Sequence, residues 1–317
     1  MMHVLGAEIR RLLARRVTLI GLLGLLALMA LFQLQVSSMV SPPSAETVAA
    51  SQRSYDEYLR EWEANHEEWE ADCVDGGGSP QECAQPRPEP SDWGLAPTAY
   101  DVAASVAVSF GVYLGGMTVF VVAASFIAAE ISTGSLANWL TFVPQRGRVF
   151  VSKLAVAAGF SLLVGLLLGV FTVGASALIT VLQGQPLSGI DAIVAMAARG
   201  VLPVLAFGVL GFCTGLLTGS TGASVGVLLG GVFGVFVRSI LAFSSVWAQR
   251  LSPWSPELNL EAILQNGTTY AVASGPTVDD SGVERALGLG QALGYWGVLL
   301  AALVAVSWLV FRRRDVT

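Results

Sequence analysis

Six long apolar runs constrain the fold of this chain more than any other feature of its sequence. A helix needs about 20 predominantly apolar residues to cross a lipid bilayer. The runs that meet this length are 17–36, 102–129, 151–182, 192–218, 223–246 and 291–311. Only 13% of the 317 residues are charged, whereas soluble domains carry about 25%. The sequence therefore predicts an all-α polytopic membrane protein with six transmembrane helices.

Positive charge predicts the orientation of these helices. Arginine and lysine cluster at 10–16, at 146–153 between the second and third spans, and at 312–314 in the tail 312–317. Six spans place all three clusters on one side, and loops rich in Lys and Arg face the cytoplasm. We therefore expect both termini to be cytoplasmic.

The first sixteen residues read as an amphipathic helix. Glu8, Arg10, Arg11, Arg15 and Arg16 surround apolar residues there, a pattern typical of a helix lying on the inner leaflet with arginines facing anionic lipid. A signal peptide is the alternative, because basic residues precede an apolar run. The length of that run disfavours it.

The segment 37–101 is the one large polar insertion. It holds fourteen acids against three arginines, a lack of cations that places it outside the cell. Residues 45–71 contain no Pro or Gly and predict an external helix, and the remainder is rich in loop residues. Cys73 and Cys83 lie together here, so we expect a disulfide between them. Two free thiols or an intermolecular bond are the alternatives.

The connector 130–150 is the segment around which function is organised. Leu136, Trp139, Leu140 and Val143 recur at helical spacing, and Pro144 ends or bends the helix they predict. Such a short amphipathic helix would lie at the inner surface, anchored by Trp139 and open to a soluble partner. A plain turn between two spans is the alternative.

Polar residues inside the spans are candidates for a substrate path. These are Ser109, Tyr113, Thr118 and Ser125 in the second span and Arg238 in the fifth. Hydroxyls in a membrane helix also bond simply to backbone or to a neighbouring helix. Arg238 must snorkel, pair or face a wet cavity, since a charge in a span is costly.

Small residues and loops complete the reading of the second half. Gly222, Gly226, Gly230 and Gly234 recur every fourth residue of the fifth span and predict close helix contact. The segment 247–290 follows as an external loop with an interfacial or re-entrant part. Cys213 lies among apolar residues and reads as a packing residue.

Motifs for chemistry are missing from the sequence. There is no Walker A loop, no HExxH, no GxSxG and no CxxC. We therefore expect no enzyme active site, no cofactor and no metal in this chain, and no nucleic-acid partner, because no soluble basic domain exists.

The residues together resemble the permease subunits of ABC-2 type transporters. The resemblance is carried by the opening AEIRRLLARR, a first span with an external insertion, and a second group in and after the connector. That group is Glu130, Gly134, Leu136, Pro144, Arg146, Arg148, Lys153 and Leu154. The resemblance covers nearly the whole chain in topology, although the external insertion is larger than in many relatives.

The resemblance implies a function and partners. It implies an exporter half in a bacterial plasma membrane that moves an amphiphilic or hydrophobic substrate such as a drug, lipid or peptide. A second permease, identical or related, and two cytoplasmic ATPases that bind ATP and Mg would complete it. The connector would be the coupling helix that docks on an ATPase, with Glu130, Gly134, Leu136, Trp139, Leu140, Pro144, Arg146 and Arg148 as coupling residues.

Two other functions fit a six-span chain. An ion-coupled carrier acting alone is disfavoured because few acids lie within the spans, where proton relays need them. A membrane scaffold or receptor acting through its external loop is disfavoured because six spans exceed what an anchor requires.

Overall fold

The computed structural model describes residues 2–76, 80–136, 145–242, 245–273 and 282–313. Within them the chain is built almost entirely of helices. The helices are α1 Met2–Leu13, α2 Arg16–Val40, α3 Ala45–Asp75, α4 Pro80–Cys83, α5 Tyr100–Ser132, α6 Arg146–Leu182, α7 Ile190–Thr218, α8 Thr221–Ala242, α9 Val246–Arg250, α10 Pro256–Gln265 and α11 Leu289–Arg313. A 3₁₀ turn at Ser252–Trp254 and two strands, β1 Thr268–Ala273 and β2 Gly282–Leu287, complete the order.

Six of these helices are long and apolar enough to cross a membrane: α2, α5, α6, α7, α8 and α11. The prediction of a polytopic membrane protein is confirmed at this level. The main differences lie at the ends of the spans. Helix α6 begins at Arg146, five residues before the predicted span, because Val149 and Phe150 are buried and extend its packed face. Helix α8 ends at Ala242, four residues early.

Helix α5 is the centre of the bundle. Two thirds of its membrane-spanning window is buried, the largest share among the six, whereas none of the α8 window is. Helices α5 and α7 approach backbone to backbone. A Cβ on Gly211 would lie 2.2 Å from the Phe120 carbonyl oxygen, and one on Gly215 would lie 2.4 Å from that of Ala124. Only glycine allows this approach. Between helices in lipid the hydrophobic effect is absent, and close van der Waals packing of this kind drives their association.

The bundle has two distinct ends. At one end α1 packs on α6, and Arg146 Nη1 donates to the Arg312 carbonyl at 2.9 Å; we call this the basic end. At the other, the Thr98 amide donates to the Met39 carbonyl at 2.9 Å; we call this the insertion end. Helix α1 and the end of α11 therefore lie at the same end, as both terminal charge clusters predict.

The insertion consists of helix α3 and a return segment that leads back from α3 to α5. Ser44 is the N-cap of helix α3. Its hydroxyl accepts a hydrogen bond from the Thr47 amide at 3.1 Å. Trp62 Nε1 donates to the Gln85 carbonyl at 3.2 Å, and the Gln85 amide donates to Glu70 at 2.7 Å. A disulfide joins Cys73 and Cys83, as predicted. Together these contacts fold the return segment back along α3.

A β-hairpin stands where the sequence predicted only loop. Strands β1 and β2 pair antiparallel, with Thr268 opposite Leu287 and Tyr270 opposite Arg285. Leu287 is fully buried, and Tyr270 packs against the same apolar cluster as α10 and α11. This hairpin and α10 pack against α7 and α11.

The glycine row of the fifth span faces away from the rest of the chain. Nothing lies within 4 Å of a Cβ placed on Gly226, Gly230 or Gly234. Of the residues described in α8, only Ser224 is buried. Among the described residues, Gly226, Gly230 and Gly234 therefore do not make the predicted close helix contact.

Candidate functional site: a buried charge cluster at the basic end

The described parts of the connector leave α5 by a sharp turn. Gly134 follows α5 with φ of +69°, a conformation that favours glycine over any residue with a Cβ. Residues 137–144, with Trp139, Leu140 and Pro144, lie outside the described residues. The amphipathic helix predicted there therefore stays a prediction.

Leu136 does not lie on an open surface. Only 1% of it is exposed, in a cluster that includes Ile127, Phe150 and Phe311. Leu136 is therefore buried inside this chain, and its role as a coupling residue stays a prediction. Its apolar side chain is already covered by α5, α6 and α11, and it anchors the start of the connector to the bundle.

Beside this anchor lies a cluster of buried charges. Lys153 Nζ lies 2.8 Å from Glu8 Oε2 and 2.7 Å from Glu130 Oε2, and the Lys153 and Glu8 side chains are fully buried. Glu130 also lies 3.4 Å from Arg15 Nη2, and Glu8 lies 3.6 Å from Arg11 Nη1. The cluster joins α1, α5 and α6. Glu130, one of the predicted coupling residues, is buried inside this cluster.

An aromatic ring supports the cations. Lys153 Nζ lies 4.8 Å from the centroid of the Phe126 ring and the Arg15 guanidinium 5.5 Å from it, close enough for cation–π attraction. Arg15 Nη1 also donates to the Ser125 carbonyl at 2.8 Å. Removing one member of a buried ion pair leaves an uncompensated charge at a cost of about 3–5 kcal/mol. Loss of any one member would therefore destabilise the junction of these three elements.

The two connector arginines differ in exposure. Arg146 is half-buried and donates to the Arg312 carbonyl, so it ties the start of α6 to the end of α11. Arg148 is exposed at the basic end. Within the described residues no group of His, Cys, Asp and Glu could hold a metal ion.

The candidate substrate-path residues are spread along the bundle. Thr118 bonds its own helix, donating to the Leu114 carbonyl at 2.9 Å, and the Ser125 carbonyl is held at the basic end by Arg15. Ser109 and Tyr113 lie between them and the insertion end, both half-buried. Arg238 pairs with Glu257 and lies 3.4 Å from the Ser252 hydroxyl, at the insertion end. These five residues do not form one pocket.

Two apolar grooves lie between the transmembrane helices. One, of about 390 Å³, is lined by α2 and α6 residues that include Leu22, Met29 and Phe171. The other, of about 390 Å³, lies between α6 and α7 and includes Val170 and Ala197. Both grooves suit an acyl chain or another apolar group.

Sequence reasoning missed the partnership of Glu8, Arg15 and Lys153. One signal could have found it. Lys153 is the only lysine among seventeen basic residues, and it stands seven residues into an apolar helix. A compact ammonium that arginine does not replace there indicates a specific buried partner.

Comparison with family models, with curated proteins and with solved structures found no match to this chain. Its function is therefore argued from its own residues.

Proposed function

We propose that this chain is the permease subunit of an ATP-driven exporter of the ABC-2 type. It would work with a second permease, identical or related, and two cytoplasmic ATPases that supply ATP and Mg chemistry. The observation that carries the proposal is the way both flanks of the connector are held. Leu136 and Glu130 fix its start, and Lys153 and Arg146 fix its end.

A connector held in this way is suited to transmit force. Because both flanks are bound to α5, α6 and α11, a push on residues 137–144 would move the bundle rather than bend a loose loop. We propose that Trp139 and Leu140 contact the partner; Arg148, a few residues further along the chain, is exposed. Burying two such side chains supplies a few kcal/mol, at about 25 cal/mol per Å² of apolar surface.

The substrate class follows from the surfaces between the helices. The grooves beside α6 are apolar and open toward the surrounding membrane. They support an amphiphilic or hydrophobic substrate, such as a lipid, drug or peptide, that enters from the membrane. The second permease would cover α8, where a Cβ added to Gly226, Gly230 or Gly234 has no described atom within 4 Å.

Copurification tests the proposal directly. The tagged chain is purified from its native membranes, and ATP hydrolysis in the eluate is measured. We expect an ATPase with wild type, and its loss with the double variant Trp139→Asp, Leu140→Asp, since two charges would enter the docking cleft. Gln145→Asp is the control. It adds an acid at an exposed position of the connector outside the docking residues, so it should keep the ATPase.

Three outcomes contradict the proposal. They are no ATPase with wild type, retention of ATPase and transport by the double variant, and transport that follows an ion gradient in the absence of ATP. Leu136 is left unchanged because an acid there would enter the chain's own core.

A further inference from the structure

Helix α1 turns an unusual face toward the bundle. Its buried residues include Glu8 and Leu12, one helical turn apart, while Ile9 and Leu13 are about half exposed. A helix held only by a lipid surface buries its apolar stripe and leaves its charges in water. In α1 a carboxylate is the most deeply buried charge, and it faces Lys153.

Lys153 is shared between two elements that are far apart in the sequence. Its ammonium contacts Glu8 of α1 and Glu130 of α5 at nearly equal distances, 2.8 and 2.7 Å. Glu130 has Arg15 as a second cation. Among the described residues, Lys153 is the only cation outside α1 that pairs with Glu8. Within the described part of the chain, the ion pair with Lys153 is therefore the one that ties Glu8 to another element.

We infer that Lys153 is a positioning residue that makes α1 part of the same moving body as the connector. Lys153 lies on α6, which continues directly from the connector, so displacement of the connector moves Lys153, and Lys153 holds Glu8 and α1. Phe126, Leu12 and Val156 close the apolar side of this joint. The consequence for transport rests on the proposed function: α1 would move with the connector at each conformational change of the ATPase, rather than independently at the membrane surface.

The two carboxylates provide a matched test. Glu8→Met and Glu130→Met each remove one acid from the same lysine and leave it the other. Spin labels on cysteines at Gly6 and Ser132, both exposed, report the distance between α1 and the end of α5 in the full chain in lipid nanodiscs. We expect one narrow distance peak for wild type and for Glu130→Met. Glu8→Met should lose that peak while the chain stays folded.

A second variant covers the case in which Glu8→Met does not fold. The triple variant Glu8→Gln, Glu130→Gln, Lys153→Met removes every charge of the triad together, so no buried charge is left unpaired. It should fold and also lose the narrow peak. A narrow peak in Glu8→Met or in the triple variant overturns the inference, as does equal broadening in Glu130→Met.

A functional readout separates this inference from the proposed function. In the purified complex, Glu8→Met should keep its ATPase while substrate no longer stimulates hydrolysis. Full stimulation in a variant whose α1 is released overturns the coupling role of Lys153. If wild type carries no ATPase, the proposed function fails while the distance result stands by itself.

Discussion

At the scale of single residues, two glycines decide how closely the central helices pack. Gly215→Ala would place a Cβ about 2.4 Å from the Ala124 carbonyl oxygen, a backbone atom that no rotamer change can move. Helices α5 and α7 would have to separate. We expect the free energy of unfolding to fall by about 1–3 kcal/mol, as for overpacked cores, in a denaturant titration of the detergent-purified protein.

Gly226→Ala is the matched control, because it makes the same chemical change in another transmembrane helix. Nothing lies within 4 Å of its new Cβ, and alanine is the better helix former. Its stability should be unchanged or slightly higher. Equal losses in the two variants would mean that α5 and α7 are not in backbone contact.

The same pair of glycines shows where sequence reasoning stops at this scale. Gly211 and Gly215 have the same four-residue spacing as Gly226 and Gly230. Both patterns predict a close helix contact, yet among the described residues only the first pair makes one. The spacing shows that one face of a helix is formed by small residues. Which helix packs on that face depends on how all six helices assemble. The buried pairing of Glu8 with Lys153 was hidden for the same reason, since 145 residues separate them.

At the scale of elements, the local sequence predicted an element correctly where its stability depends mainly on hydrogen bonds within that element. The external helix was predicted as 45–71 and is found as Ala45–Asp75, because an uninterrupted run of helix formers needs no partner to be recognised. The β-hairpin was missed. Its strands have six residues each, and their stability comes from pairing with each other and packing on α10, neither of which a short window contains.

Helix α8 carries the prediction that belongs to this scale. Its exposed glycine row would allow another helix to approach closely, and we expect the second permease to lie there. Gly230→Cys should form a disulfide-linked adduct in oxidised native membranes, seen as a larger band on a non-reducing gel. Leu178→Cys, on the exposed face of α6, is the control and should stay monomeric. Equal adducts at both positions would indicate random collision.

At the scale of the whole molecule, the distribution of charge and the fold agree on one axis. Basic residues gather at the end that holds α1, the connector and the end of α11, while the acidic α3 stands at the other. The number of spans could be predicted because each must satisfy its own backbone within lipid. Which helix lies at the centre could not, since all six runs are similarly apolar.

The orientation of this axis is the last prediction, and it concerns the whole chain at once. Loops rich in cations stay on the cytoplasmic side, so the basic end should face inward and α3 outward. Single cysteines at Ala14, Thr317 and Ala64 test it with a membrane-impermeant maleimide on intact cells. The native cysteines do not compete, because Cys73 and Cys83 are bonded to each other and Cys213 is buried. We expect labelling at Ala64→Cys alone, and at all three positions once the membrane is permeabilised. Labelling of Ala14→Cys or Thr317→Cys in intact cells would reverse the orientation and place the connector beyond the reach of any cytoplasmic ATPase.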